Sequence, residues 1–580
     1  MTIEKEMINF ISENKLNAFN LYKTPVKILG DNIFKTRDGK SVHTKVLGKI
    51  NDYFCFSDTS NLFNCFLFSR EIEEIKKRQE FFKNIDKNMP NDFLKELKKP
   101  KQIWKPSYGI VVVTDNEDTF TKLKNLDVPV KFIINEDDVR DLENYEIVQV
   151  VDVENFSYAL EQLPQTVFLD SVDDVYLERY LETLSGWNDN FSLLDRIDNC
   201  EIKIIIHELK PLLELIGIKS REKISREIIE EKIEIINEDI SGKIKDLNIS
   251  GEILFNLLSQ NKLPKDIEEI INSSVESSGI PEEILELGIP VKINEQELER
   301  YIKKMDANEN TDFAEKIKKN SKILKEIPEK IERINSLLLM YDFLSGISQF
   351  IKDCEYWPEF EEFIEIRNTK NIFLDNAQPI SFNLDNEYRC SILTGANSGG
   401  KTTLIEHIIQ LIVLSNLGLP LNGIVNILIF TEVYYFAKNK GSASKGAFET
   451  LLTQMGEIKT GKNTLILADE IESVTEPGVA GKIIAATSDY FIKKNCFLII
   501  ATHLGQEIQK FLPKGARIDG IEAKGLDDEN ELIVDHNPVI GRLANSTPEL
   551  IVEKMAKSRQ EEYFIYLNES LKNRDLRDII

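Results

Sequence analysis

Residues 390–403 read Cys-Ser-Ile-Leu-Thr-Gly-Ala-Asn-Ser-Gly-Gly-Lys-Thr-Thr, an apolar strand running straight into a glycine-rich turn that ends in Lys-Thr. Leu404, Ile405, Ile408, Ile409 and Ile412 follow at the spacing of a buried helix. Strand, glycine loop and helix in that order make a cradle for phosphate. Glycines at 395, 399 and 400 let the backbone curl until consecutive N–H groups converge on one anion, and the helix start adds its partial positive charge. The candidate ATP-binding residues are therefore Gly395, Ala396, Asn397, Ser398, Gly399, Gly400, Lys401, Thr402 and Thr403. In this pattern Lys401 reaches the β- and γ-phosphates and the Thr402 hydroxyl binds Mg²⁺. A chance glycine-rich turn would lack both flanking elements.

A phosphate loop does not distinguish a kinase from a motor; the second half of the site does. Thr464-Leu-Ile-Leu-Ala468 is an apolar strand ending in Asp469-Glu470. Asp469 is placed to hold Mg²⁺ with Thr402, and Glu470 to orient and deprotonate the attacking water. A third apolar strand, 496–501, delivers Thr502-His503 to the same end of the sheet, where a neutral imidazole can sense the γ-phosphate. Glu470 and His503 are the candidate catalytic residues, and the base favours hydrolysis over transfer to a metabolite.

The order of loop, Asp-Glu strand and His strand describes ATPases of the ABC and MutS type. Thr394–Thr403 resembles the MutS-family phosphate loop, and Ile429-Phe-Thr431, Leu467-Ala-Asp-Glu-Ile471 and Ala501-Thr-His503 match further family blocks in their order. The segments Ile540-Gly-Arg542 and Ser546–Met555 are similar to the C-terminal stretch that packs across the family dimer, so the resemblance covers about 360–560. Upstream, Thr36–Lys40 is similar to the start of the family's core domain. The resemblance implies ATP and Mg²⁺ as cofactors, a homodimer, and a helical lever and clamp around double-stranded DNA without sequence or mismatch preference.

Mismatch-recognising members begin with a domain that wedges the aromatic of a Phe-Xaa-Glu motif into the mispair. Here Phe313-Ala-Glu315 and Phe360-Glu-Glu362 contain the triplet, but in other regions, and the chain stops soon after the ATPase segment. The expected relatives are the short archaeal MutS-related ATPases, and nuclease activity is not predicted. Two departures stand out. The family's Ser-Thr-Phe step, which contacts the partner's γ-phosphate, is Gly446-Ala447-Phe448, so Ser442, Ser444, Gly446 and Phe448 become the candidate partner-subunit contacts. The Gly-rich turn after the Glu is replaced by Ile471-Glu-Ser-Val474, and slow turnover is expected.

At 580 residues and 42% hydrophobic content the chain is too long for one core. Its fold class reads as mixed and multidomain: an α/β P-loop ATPase domain, a long helical lever and clamp, and a small inserted α/β module. The expected boundaries are 1–105 (helical), 106–180 (inserted module), 181–355 (helical arms) and 356–580 (ATPase with a C-terminal helical segment). Within the arms, an Ile stripe at 224–247 and a second helical stretch at 317–339 could pair antiparallel, the alternative being an ordinary helical bundle. With 72 Lys+Arg against 98 Asp+Glu, the net charge of -26 requires any nucleic-acid contact to be local. Lys316, Lys318, Lys319 and Lys322 are the candidate DNA contacts. The same charge keeps a second class open, an ABC-like ATPase acting on structured RNA, the ribosome or a protein partner. Six scattered cysteines suggest neither a disulfide framework nor a zinc knuckle. With acids at the N-terminus and no run of membrane-spanning length, a cytoplasmic protein without membrane contact is expected.

Overall fold

The computed structural model describes residues 2–20, 33–66, 69–101, 105–106, 108–126, 128–217, 226–245, 263–395, 400–438, 445–470, 477–526, 532–544, 548–559 and 561–574. The architecture is mixed α/β with parallel sheets and many helices. The chain divides into two compact units, residues 97–334 and a second unit that joins 1–96 to 335–580.

The 97–334 unit contains a four-stranded parallel sheet of Val130–Phe132, Ile110–Thr114, Ile147–Val150 and Thr166–Phe168, in that spatial order. Its two inner strands, Ile110–Thr114 and Ile147–Val150, are buried almost throughout because both faces are covered. Val111, Val113, Val148 and Val150 pack into one core, and Val112 with Val151 into the opposite one. The helix Glu295–Lys319 lies on this sheet, with Phe313 edge-to-face against Tyr108 at 6.1 Å.

The Ile stripe forms as expected but finds another partner. Ile229, Ile233, Ile236 and Ile240, spaced four, three and four along the helix Arg226–Lys245, bury against Ile267, Ile271 and Val275 of Lys265–Ser278. The expected pairing of 224–247 with 317–339 is therefore corrected. The second stretch is broken at Asn320, the C-cap of Glu295–Lys319, and resumes as Ser321–Phe350. That helix is tied by Arg333 to Glu201 (2.5 Å) and by Lys330 to Glu208 (3.0 Å). Apolar periodicity fixes which face is buried; it carries no information about which other stripe covers it.

The other unit is built on a six-stranded sheet: β1 (Cys390–Gly395), β2 (Glu432–Phe436), β3 (Thr464–Asp469), β4 (Phe497–Ala501), β5 (Ala516–Leu526) and β6 (Leu532–Val539). The spatial order is β2-β3-β4-β1-β5-β6, parallel except for the β5–β6 edge. β1, β3 and β4 are buried almost throughout, so their carboxyl ends open side by side. The helix α2 (Lys401–Leu417) leaves the loop after β1 and is buried from Leu404 to Leu417 except at Glu406. It is packed on one side by the sheet and on another by α1 (Arg37–Asn51). Thr36 caps α1 and accepts the backbone N–H of Tyr435 at 3.0 Å, while Asp38 accepts that of Ala437 at 3.1 Å. Phe34 bridges Val433 on the strand edge. The first hundred residues thus complete the sheet that the last two hundred build.

Candidate nucleotide site

Ligands of open parallel sheets bind where the strand order reverses, outside the carboxyl ends of the strands. Here that point is β1, between β4 and β5. Gly395 ends the strand at φ 134, and a Cβ there would stand 2.4 Å from the Ile521 carbonyl oxygen. Gly400 caps α2 at φ 88, and its Cβ would stand 2.9 Å from Nδ1 of His536. Only glycine fits either position. Lys401 is buried, and its Nζ donates to the Gly395 carbonyl at 2.6 Å, closing the neck of the loop. Ala396, Asn397, Ser398 and Gly399 lie outside the described residues, as do Ser442 and Ser444. Gly446 and Phe448 fall in the first turn of the helix Lys445–Gly456.

The Thr402 hydroxyl donates to Asp469 Oδ2 at 2.5 Å. The other oxygen, Oδ1, is buried without a hydrogen-bond partner. Burial pushes the Asp469 carboxyl above the usual carboxylate range, the Thr402 bond opposing and the neighbouring Glu470 charge reinforcing the shift. A desolvated carboxylate oxygen without a hydrogen-bond partner, beside a hydroxyl, is the oxygen environment that suits a hard divalent cation. Among the described residues no group of three or more His, Cys, Asp or Glu could hold a metal ion, so such a cation would draw its remaining ligands from phosphate and water.

Glu470 follows in the left-handed region, φ 47, its N–H bonded to the Ala501 carbonyl at 2.9 Å. This kink turns the carboxylate back over the strand ends. Oε1 meets His503 Nε2 at 2.5 Å and lies 4.0 Å from Lys401 Nζ, while Oε2 pairs with Lys438 Nζ. Burial alone would raise the Glu470 carboxyl; the bonds from Lys438 and His503 outweigh it and hold the group below its ordinary range. His503 is positioned by Thr502, whose N–H bonds to Leu393 O at 2.9 Å and whose hydroxyl accepts Leu504 N–H at 3.0 Å. Lys401, Thr402, Asp469, Glu470 and His503 therefore converge on one spot.

Two participants carry no motif. Lys438 lies two residues beyond β2; only knowledge that β2 neighbours β3 would have pointed to it. His536, on the edge strand, lines a cavity of about 150 Å³ beside the loop with Asn371, Leu374, Gln378, Gly400 and His407. Gln378 bonds Asp535 at 2.8 Å and accepts the His536 N–H at 3.2 Å, holding that edge in place. His407 is kept neutral by burial, its pKa pushed down to about 4, and bonds Thr369 at 2.8 Å.

The candidate DNA contacts lie elsewhere, in the 97–334 unit. Lys316, Lys318 and Lys319 form the last turn of Glu295–Lys319, and Lys322 the first turn of the next helix. Lys316, Lys319 and Lys322 are exposed, whereas Lys318 donates to the Phe168 carbonyl at 2.6 Å. Among the described residues no helix is long and apolar enough to cross a membrane.

No family model matches the chain. It is 28% identical to the DNA-binding protein MutS2 of Pyrococcus furiosus over 92% of its own length and 98% of that protein. The endonuclease MutS2 of Fusobacterium nucleatum is 22% identical over 65% of this chain and 53% of its own. The DNA mismatch repair protein MutS of Thermotoga petrophila is 26% identical over 44% of this chain and 32% of its own.

Proposed function

Because the chain belongs to the MutS family, we propose that it binds MgATP at the carboxyl ends of β1, β3 and β4, hydrolyses it, and binds DNA. The observation that carries this reading is the pairing of Thr402 with Asp469, whose second oxygen is buried and unpartnered next to Glu470. Loop backbone and Lys401 take the phosphates, and the base of the nucleotide occupies the cavity lined by His407 and His536. Thr402 and Asp469 hold Mg²⁺, which when bound neutralises charge on the terminal phosphates. Glu470 orients and deprotonates the attacking water, with His503 fixing the carboxylate.

The similarity to the DNA-binding protein MutS2 of Pyrococcus furiosus supports DNA binding. The lysines at 316, 319 and 322 supply a backbone contact without base readout. In the finer reading, two copies sandwich nucleotide through contacts that include Ser442, Ser444, Gly446 and Phe448, and the helical unit closes around duplex DNA.

The test is nucleotide binding and steady-state hydrolysis with and without duplex DNA. Lys401→Ala should lose MgATP binding. Glu470→Gln should bind MgATP as the parent does and hydrolyse it on the order of 10²–10⁴-fold more slowly; normal turnover by this variant would remove Glu470 as the base.

A further inference from the structure

Glu470 lies beside two lysines of unequal burial. Lys401 is fixed: its side chain is 2% exposed and bonded to Gly395 O. Lys438 is not buried; its side chain is 47% exposed against 9% for Glu470, and it approaches from beyond the end of β2 on a flexible four-carbon stem. Water can solvate the half-exposed ammonium as it moves, so a stronger anion arriving nearby can take it from the carboxylate. The terminal phosphate of ATP is such an anion. It carries more charge than a carboxylate and would arrive at Lys401, whose Nζ is only 4.0 Å from Glu470 Oε1.

The partners of Glu470 matter for its chemistry. His503 occupies Oε1 and Lys438 occupies Oε2. A carboxylate engaged at both oxygens is a poor acceptor for a proton from water, and one of the two partners must leave before it can act. The His503 side chain is short and 38% exposed, whereas Lys438 is 47% exposed on a longer, more flexible stem, so Lys438 is the partner better able to move.

We propose that Lys438 is a positioning residue that latches Glu470 until a third phosphate is present, then transfers its ammonium to that phosphate and releases Oε2 to the attacking water. The latch rests on the ATPase reading above. ADP, lacking the third phosphate, leaves the Lys438–Glu470 pair intact, so Lys438 also makes the site discriminate triphosphate from diphosphate. A lysine that only braced the loop would affect both nucleotides alike.

The experiment measures the affinities of the full-length chain for a fluorescent non-hydrolysable ATP analogue and for fluorescent ADP, each with Mg²⁺. Lys438→Met should weaken the triphosphate by about tenfold, as expected when one charged hydrogen bond is removed, and leave ADP unchanged. Lys438→Arg should restore the preference. Lys438→Gln, which keeps a polar side chain, gives the same comparison if the Met variant fails to fold. Equal weakening of both nucleotides, or of neither, overturns the latch while leaving the ATPase reading in place. Failure of the unsubstituted chain to bind either nucleotide overturns that reading and the latch with it.

Discussion

At the scale of single residues the site is governed by what each position forbids. Gly400 combines φ 88 with a neighbouring imidazole 2.9 Å from where a Cβ would sit. Gly400→Ala should therefore cost on the order of 1–3 kcal/mol locally and reduce nucleotide affinity, read by thermal melting and by titration with labelled ATP. The residues of this site were largely legible in sequence because each follows an apolar strand that runs in parallel with the others. Thr402, Asp469, Glu470 and His503 meet because their strands end together. Lys438 was not legible, since its role depends on β2 lying next to β3, and nothing in Glu432–Phe436 names its neighbour. His536 was hidden for the same reason on the opposite edge.

At the scale of elements, α2 shows how a buried helix exacts a condition on pH. Its His407 titrates near 4 when folded against an ordinary 6.5, and His43 on α1 is likewise lowered to about 4 by burial. Both are neutral in the fold, so the unfolded chain binds more protons between the two values. Their contribution to stability is present above pH 6.5 and lost as pH falls toward 4, by up to ~3 kcal/mol for each group. Urea midpoints measured from pH 7 to pH 4 should fall less steeply in His407→Gln than in the parent. Element type was readable from sequence wherever a run was strongly patterned: the apolar strands of 110–168 alternate with short helices, and the Ile stripe is helical. Pairing was not readable. The stripe at 229–240 is covered by Lys265–Ser278, a partner that its own periodicity does not name.

At the scale of the whole molecule the net charge of -26 sets the terms for DNA. A phosphate backbone is repelled by most of this surface, so binding must be confined to a local cluster and be salt-sensitive. Replacing Lys316, Lys319 and Lys322 together with Glu should weaken duplex binding uniformly across sequences. It should also reduce the slope of log affinity against log salt by about one for each phosphate no longer neutralised. Fluorescence anisotropy at several salt concentrations checks this, and an unchanged slope would place the DNA surface elsewhere. The threading of the chain has one more effect, on timing at the ribosome. Residues 97–334 form a unit of their own, whereas Phe34 and Thr36 find their strand partners only at Val433 and Tyr435. At about 5–20 residues per second, the N-terminal segment emerges roughly twenty to eighty seconds before the strand it must pair with exists. The middle of the protein can thus be finished while its beginning still waits, and the nascent N-terminus is the stretch that chaperones would have to guard.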